Sequence, residues 1–264
     1  DMVFPVSGWV LETLRDAGAK VWQEPLYGVA ELDRSVPSPG EGLFRHSRFD
    51  WDRRKFRDRV LGLIEPMAEA LRPRHRFARR AGLTLGIVSR ITPIKQFPLM
   101  FSTLAPILAR FPTVNLEIFG AGGYASIRDL DKALRPAKAQ VRFWGHQADV
   151  RLVYSQLDYL LTGLPEKEAL GLNVIEAQYA NLPVLAVGRP PFTETVVDGV
   201  TGILFRDPRE DGGGDFARVL QDAVNRTVRL RPEQAMDHLS KFSFDAFVSR
   251  LRPVVAWAKE QLGQ

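Results

Sequence analysis

The stretch LTLGIVSRITPIKQFPLMFSTLAPILARFPTVNLEIF, residues 83–119, decides the fold. It opens on an almost continuously apolar run at 83–89, passes through a short loop, carries a helical pattern over 97–110 and closes on a second apolar run at 114–119. Short runs that are apolar on both faces read as strands buried on both sides, and a helix between two of them makes the pair parallel. The same alternation continues outward. Strands are predicted at QVRFW (140–144), LDYLLT (157–162), PVLAV (183–187) and GILF (202–205), with helices over 124–135, 149–155, 171–180 and 192–198. Right-handed crossovers then require an α/β fold, a Rossmann-like doubly wound parallel sheet.

The flanks are less regular. Residues 1–27 read as strand, helix, strand, with Ser7 as helix N-cap and Gly18 as its stop. Residues 28–50 are turn-rich. Residues 51–71 predict an amphipathic helix with Phe56, Val60, Leu63, Ile64 and Met67 on its apolar side, broken near Pro66. Beyond the last strand, DPREDGGGD (207–215) is expected as a surface excursion, followed by helices over 215–228 and 232–240. A last helix begins after Ser243 and carries Pro253, which should kink it.

Composition narrows the function. The 264 residues are 45% apolar and 25% charged, as in ordinary globular domains, and contain no cysteine. That excludes a disulfide scaffold, a thiol nucleophile and a Cys-ligated metal. No uncharged apolar run is long enough to span a bilayer, and no signal peptide is evident. A cytoplasmic setting fits, with peripheral membrane contact left open. The first residue is Asp1, which suggests a processed chain or a fragment. The formal net charge is +5, and five arginines with His75 crowd into Arg72–Arg80. This cluster is either a phosphate-attracting patch or a solvated linker; with no RNA-binding motif or metal-finger spacing beside it, nucleic acid is not expected as a partner.

In a doubly wound sheet, ligands bind where the loops leave the carboxyl ends of the strands. The first such loop carries Arg90 and Lys95, with no Asp or Glu from Gly82 through Leu116. A lysine beside a helix N-terminus opposes the helix dipole unless an anion sits there too. A diphosphate clamp, two exposed cations, and partners supplied by other loops are all open readings. The second loop, FGAGGYA (119–125), fits G-x-G-x-x-A through Gly120 and Gly122. It follows the second strand of the domain, and no acid ends the next strand, so a tight turn lining a pocket is favoured over a dinucleotide site. The third loop, LPEKEALGLNVIEAQYANLPVLAVG (164–188), is the richest. Glu168 precedes a helix start at Gly171–Leu172, and Glu176 lies one turn inside among Leu172, Ile175 and Tyr179. A carboxylate among apolar neighbours needs a partner. Paired hydroxyls of a sugar supply one, while the free amides at the helix start suit a phosphate.

The segment from Glu168 through ALGLNVI to Glu176 resembles the E-x7-E motif of the retaining glycosyltransferases of the group 1 or family 4 type. The resemblance extends through Pro183-Val184-Leu185-Ala186, the run PPFTETVVDGVTGILF, Ser89-Arg90-Ile91 with Lys95, Gly120-Ala121-Gly122, Phe143-Trp144-Gly145 and the closing FSFDAFVSRL. It covers about residues 82–264 in order. Departures are Arg189-Pro190-Pro191 where the family has Gly-Gly, Leu170 where it favours an aromatic, and Asn181 where it usually has Gly.

The resemblance implies the C-terminal, donor-binding domain of a GT-B enzyme. Arg90 and Lys95 would hold the donor diphosphate, with Gly120 and Gly122 lining the pocket. Glu168 would contact the transferred sugar and is the expected catalytic residue. Glu176 would bind the ribose, and Gly171, Leu172, Asn173 and Val174 would meet the phosphates. The expected partner is a nucleotide-sugar of UDP, GDP or ADP type, used as substrate, with an unknown glycan, lipid or protein acceptor. Neither cofactor nor metal is implied. On this reading residues 1–27 are the remnant of an acceptor domain, 28–80 a linker with a helical insertion, 81–243 the nucleotide-sugar domain and 244–264 the closing helix. A partner domain or chain would complete the acceptor site. Two rivals stay open: a non-catalytic nucleotide-sugar-binding module and, from residues 120–125 alone, a nicotinamide-dependent oxidoreductase.

Overall fold

The computed structural model describes residues 2–30, 32, 42–51, 56, 60–64 and 75–263. Six strands form one parallel sheet in the order β3-β2-β1-β4-β5-β6. They are β1 (Leu83–Val88), β2 (Val114–Phe119), β3 (Val141–Gly145), β4 (Tyr159–Leu161), β5 (Val184–Val187) and β6 (Gly202–Phe205). All six match the strands read from the sequence to within two residues at each end. The alternation of side chains sets two cores. Leu185 and Val187 join Leu85 and Ile87 on one face, under the helices Phe97–Leu108 and Tyr124–Ala133, while Val184, Ala186, Val88 and Leu160 pack on the other. Both faces are dry, which explains why the strands read as unbroken apolar runs.

In chain order the helices are α1 (Gly8–Asp16), α2 (Phe97–Leu108), α3 (Tyr124–Ala133), α4 (Val150–Tyr154), α5 (Leu172–Tyr179), α6 (Phe192–Thr195), α7 (Pro208–Asp211), α8 (Gly214–Asn225), α9 (Met236–Leu239) and α10 (Phe244–Leu262), with a further helical turn at 60–64. Ser7 caps α1, its hydroxyl accepting from the Val10 amide at 3.1 Å, and Gly18 follows at φ 74°. Ser243 caps α10 in the same way. Helical hydrogen bonding continues on both sides of Pro253, although the proline has no N–H to offer the Ser249 carbonyl. No helix among the described residues is long and apolar enough to cross a membrane.

Three expectations change. The 207–215 stretch is not a free excursion. Asp207 is buried and accepts from the Arg209 amide at 2.9 Å, starting α7, which packs against α2. The described part of the arginine cluster is an anchor to the sheet. Arg79 pairs with Asp158 at 2.6 Å and Arg80 with Glu117 at 3.0 Å, and the backbone at Arg76 bridges to Phe44. Arg72 and Arg74 lie outside the described residues. Of the expected 51–71 helix, Phe56, Val60, Leu63 and Ile64 are described and all four are exposed; Met67 and Pro66 lie outside.

The N-terminal part docks on the sheet domain. Val3 and Val21 form a single parallel bridge flanking α1, and Phe4, Trp22 and Trp257 of α10 meet with ring centroids 5.9 Å apart in each pair. Glu194 at α6 accepts from the Gly8 amide at 2.8 Å, the Trp9 amide at 3.3 Å and the Tyr27 hydroxyl. The α1 dipole therefore ends on a carboxylate from the sheet domain, a favourable pairing.

Candidate functional site

The strand order reverses between β1 and β4, so the crevice expected of this fold opens there, at the carboxyl ends of both strands. The loop after β1 and the loop after β4 run side by side across it. A Cβ added at Gly163 would lie 2.2 Å from the Lys95 carbonyl oxygen, so this close approach requires glycine. The two loops are then joined by side chains. Lys95 Nζ forms an ion pair with Glu168 Oε2, and Gln96 Nε2 donates to Glu166 at 3.3 Å. Lys95 thus has its acid partner from another loop, one of the readings that the sequence left open. Arg90 is exposed and forms no ion pair with a described residue.

The α5 helix enters this crevice. Gly171 starts it at φ 83°, a left-handed conformation that favours glycine. Its first turn is open: the Val174 amide bonds back to the Gly171 carbonyl, while the amides of Leu172 and Asn173 donate to no described carbonyl. Asn173 Nδ2 donates to the Val88 carbonyl at 3.0 Å, which fixes the helix start to the end of β1. One turn on, the Tyr154 hydroxyl of α4 donates to Glu176 Oε2 at 3.0 Å and lies 3.4 Å from the Asn173 carbonyl. Burial pushes the Glu176 carboxyl above the usual carboxylate range, partly offset by the Tyr154 hydrogen bond. The Tyr154 hydroxyl is raised well above its usual range, by burial first and then by the neighbouring carboxylate.

The structure therefore brings Lys95, Glu168, Gly171, Leu172, Asn173, Val174 and Glu176 to the ends of β1, β4 and α5. Gly120 and Gly122 stand apart, at the end of β2. The Gly120 amide donates to the Gly145 carbonyl at 2.7 Å and the Gly122 amide to the Arg48 carbonyl at 3.1 Å, so neither N–H is offered to a ligand. Ala121, between them, supports the Arg90 loop, since the Ile91 amide donates to its carbonyl at 2.9 Å. The position off the switch point and the engaged amides also leave residues 120–125 without the features of a dinucleotide cradle. Asn181, where the resemblance has glycine, sits at φ 59°, a conformation asparagine tolerates.

Sequence reasoning missed Tyr154 as the partner of Glu176. It also missed Glu194 as the cap of α1. Both contacts join elements remote in sequence, and no local pattern marks them. Glu194 and the Gly8 amide that it accepts from are 186 positions apart.

Comparison with known proteins bears on the family and the fold. The family described as Glycosyl transferases group 1 matches residues 82–225. D-inositol 3-phosphate glycosyltransferase of Rhodococcus opacus is 31% identical over 242 residues, covering 82% of this chain and 51% of that protein. The alpha-1,3/1,6-mannosyltransferase ALG2 of Dictyostelium discoideum is 34% identical over 92 residues, covering 34% of this chain and 21% of that protein. Among solved structures, Anabaena Alr3699/HepE in complex with UDP and glucose superposes with a TM-score of 0.65 at 17% identity, covering 97% of this chain and 62% of that one. The sucrose-phosphate synthase of Thermosynechococcus elongatus also gives 0.65, at 18% identity, covering 98% and 58%. These last two show a shared GT-B-type fold. The chain spans about half the length of the Rhodococcus relative it matches. By the matched region and the identity to that relative, the chain belongs to the glycosyl transferases group 1 family.

Proposed function

We propose that this chain is the donor-binding half of a retaining glycosyltransferase that uses a nucleotide-sugar, with residues 81–243 as the nucleotide-sugar domain and 244–264 as its closing helix. The observation that carries the reading is the convergence at one switch-point crevice of Lys95, two open amides at the start of α5, and two carboxylates of unlike environment, Glu168 and Glu176. An anion at the open amides meets the positive end of α5, and Lys95 and Arg90 stand beside it to neutralise a diphosphate. Glu176, desolvated and held by Tyr154, is placed to accept two hydrogen bonds from adjacent ribose hydroxyls. Glu168 at the mouth is placed to meet the hydroxyls of the sugar.

In the transfer step the bond between the anomeric carbon and the diphosphate oxygen breaks, and its electron pair leaves with the phosphate. The acceptor oxygen attacks from the same face, and its proton passes to a phosphate oxygen of the departing group. Lys95, Arg90 and the α5 amides stabilise the charge that develops there.

A calorimetric panel of UDP, GDP and ADP, with their sugar conjugates, tests the reading. At least one nucleoside diphosphate should bind, and Lys95→Ala should weaken it while hardly changing affinity for the plain nucleoside. Binding of nicotinamide dinucleotides in preference to every nucleoside diphosphate would overturn it.

A further inference from the structure

A second concave site lies on the opposite side of β2 from the crevice. It is a groove of about 640 Å³ between the Arg48–Phe49 segment and the outer face of α3, continuing along the 3-10 turn that follows. The volume is in the range of small-molecule sites. Buried Ile127 lines the groove, and at one end Phe49 and Tyr124 stack with centroids 5.8 Å apart and planes 27° from parallel.

The charges along it are unbalanced. Five cations line the groove against two carboxylates. Asp131 is taken by Arg48 at 3.0 Å and Asp129 by Arg128 at 2.8 Å. Lys132, Arg135 and Lys138 remain, and no described carboxylate pairs with any of them. Positions 128 and 132 are helical neighbours on α3, ~5–6 Å apart at their Cβ atoms, and Arg135 and Lys138 follow in the 3-10 turn beyond its end, so like charges are crowded along one side of the groove. Such an arrangement along one wall of a concave groove, with a stacked aromatic pair at its end, is relieved by an anionic ligand.

We propose that this groove is a second binding site, distinct from the donor crevice, for a ligand bearing two or more phosphate groups. Lys132, Arg135 and Lys138 hold the phosphates, and the Phe49–Tyr124 pair forms an apolar end for the rest of the ligand. The phosphates come either from a free organic phosphate or from lipid headgroups. The concave shape favours the former.

The test uses the 264-residue chain with two probes: inorganic tripolyphosphate by calorimetry, and co-sedimentation with vesicles of phosphatidylglycerol and phosphatidylcholine in equal parts. The double variant Lys132→Ser, Arg135→Ser removes two exposed charges and should leave UDP affinity unchanged. It should weaken tripolyphosphate binding about tenfold or more. The conservative pair Lys132→Arg, Arg135→Lys should restore binding. Vesicle binding lost in the double variant, without tripolyphosphate binding, would assign the phosphates to lipid. Binding of neither probe, or equal binding by wild type and double variant, overturns the proposal. So does tripolyphosphate binding that is lost in Lys95→Ala but kept in the double variant, because the anion then sits in the donor crevice.

Discussion

At the scale of single residues, the crevice sets opposite charges against one another. Lys95 and Glu168 are paired, so a diphosphate competes with the carboxylate for the ammonium. Glu168→Gln should therefore tighten binding of a bare nucleoside diphosphate by a few-fold, as expected for a partly exposed pair of ~0.5–1 kcal/mol. The same variant should lose affinity for the sugar conjugate relative to the bare diphosphate. Calorimetry on both ligands checks the two signs together; equal changes for both would detach Glu168 from the sugar. Glu176 carries a pH dependence. Burial raises its pKa, so the folded chain holds this proton more tightly than the unfolded chain. The group favours folding below the ordinary carboxylate pKa, and that contribution is lost as pH rises through the raised value. On the proposed reading, Glu176 meets the ribose hydroxyls in its ionised form, so nucleoside diphosphate affinity should increase with pH across the same interval. Glu176→Gln should flatten that profile and weaken binding about tenfold at neutral pH. A parallel profile in the variant would move the titrating group elsewhere.

At the scale of elements, the strands were legible because each is short, apolar on both faces and separated by a helical pattern. The caps at Ser7 and Ser243 were legible because side-chain capping is local. What could not be read was the pairing of polar groups across elements. Glu117 sits in β2 with no exposed surface, and it accepts from Arg80 Nη2 at 3.0 Å, Arg142 Nη2 at 2.6 Å and Trp144 Nε1 at 2.6 Å. In sequence it is one acid in an apolar run. The structure makes it the fixing point of the chain leading into the sheet domain, and it accounts for one of the arginines that the sequence left to a phosphate patch or a solvated linker. Removing one partner of a buried ion pair strands the others, typically costing ~3–5 kcal/mol. Glu117→Ala should lower the free energy of unfolding by an amount of that order, read from a lower urea midpoint at an unchanged slope of the transition. A loss under ~1 kcal/mol would mean that Arg80 and Arg142 find water instead. Of the candidate site residues, the topology places Lys95 and Glu168 on the loops that leave β1 and β4 and Glu176 on α5 behind them, whereas Gly120 and Gly122 matched a motif whose amides the structure uses internally.

At the scale of the whole molecule, the chain spans about half of its Rhodococcus relative, and the proposed reading assigns to it the donor side of a transfer reaction. Orientation of the acceptor against the donor supplies several kcal/mol of such a barrier. The 264-residue chain alone should therefore bind a nucleotide-sugar and transfer it slowly. Incubation with radiolabelled donors and a panel of lipid, glycan and protein acceptors measures this. Turnover near 1 per second, an ordinary enzymatic rate, would locate an acceptor site within these residues. The strand order has a kinetic consequence as well. The chain lays down β1, β2 and β3 toward one edge, then returns past all of them to set β4 against the free side of β1. The crevice does not exist until that long-range closure is complete. Non-local parallel pairing of this kind folds slowly. A ligand that recognises only the closed crevice has nothing to hold in the transition state. Saturating nucleoside diphosphate should then slow unfolding and leave the refolding rate unchanged, so that in stopped-flow chevrons only the unfolding arm moves.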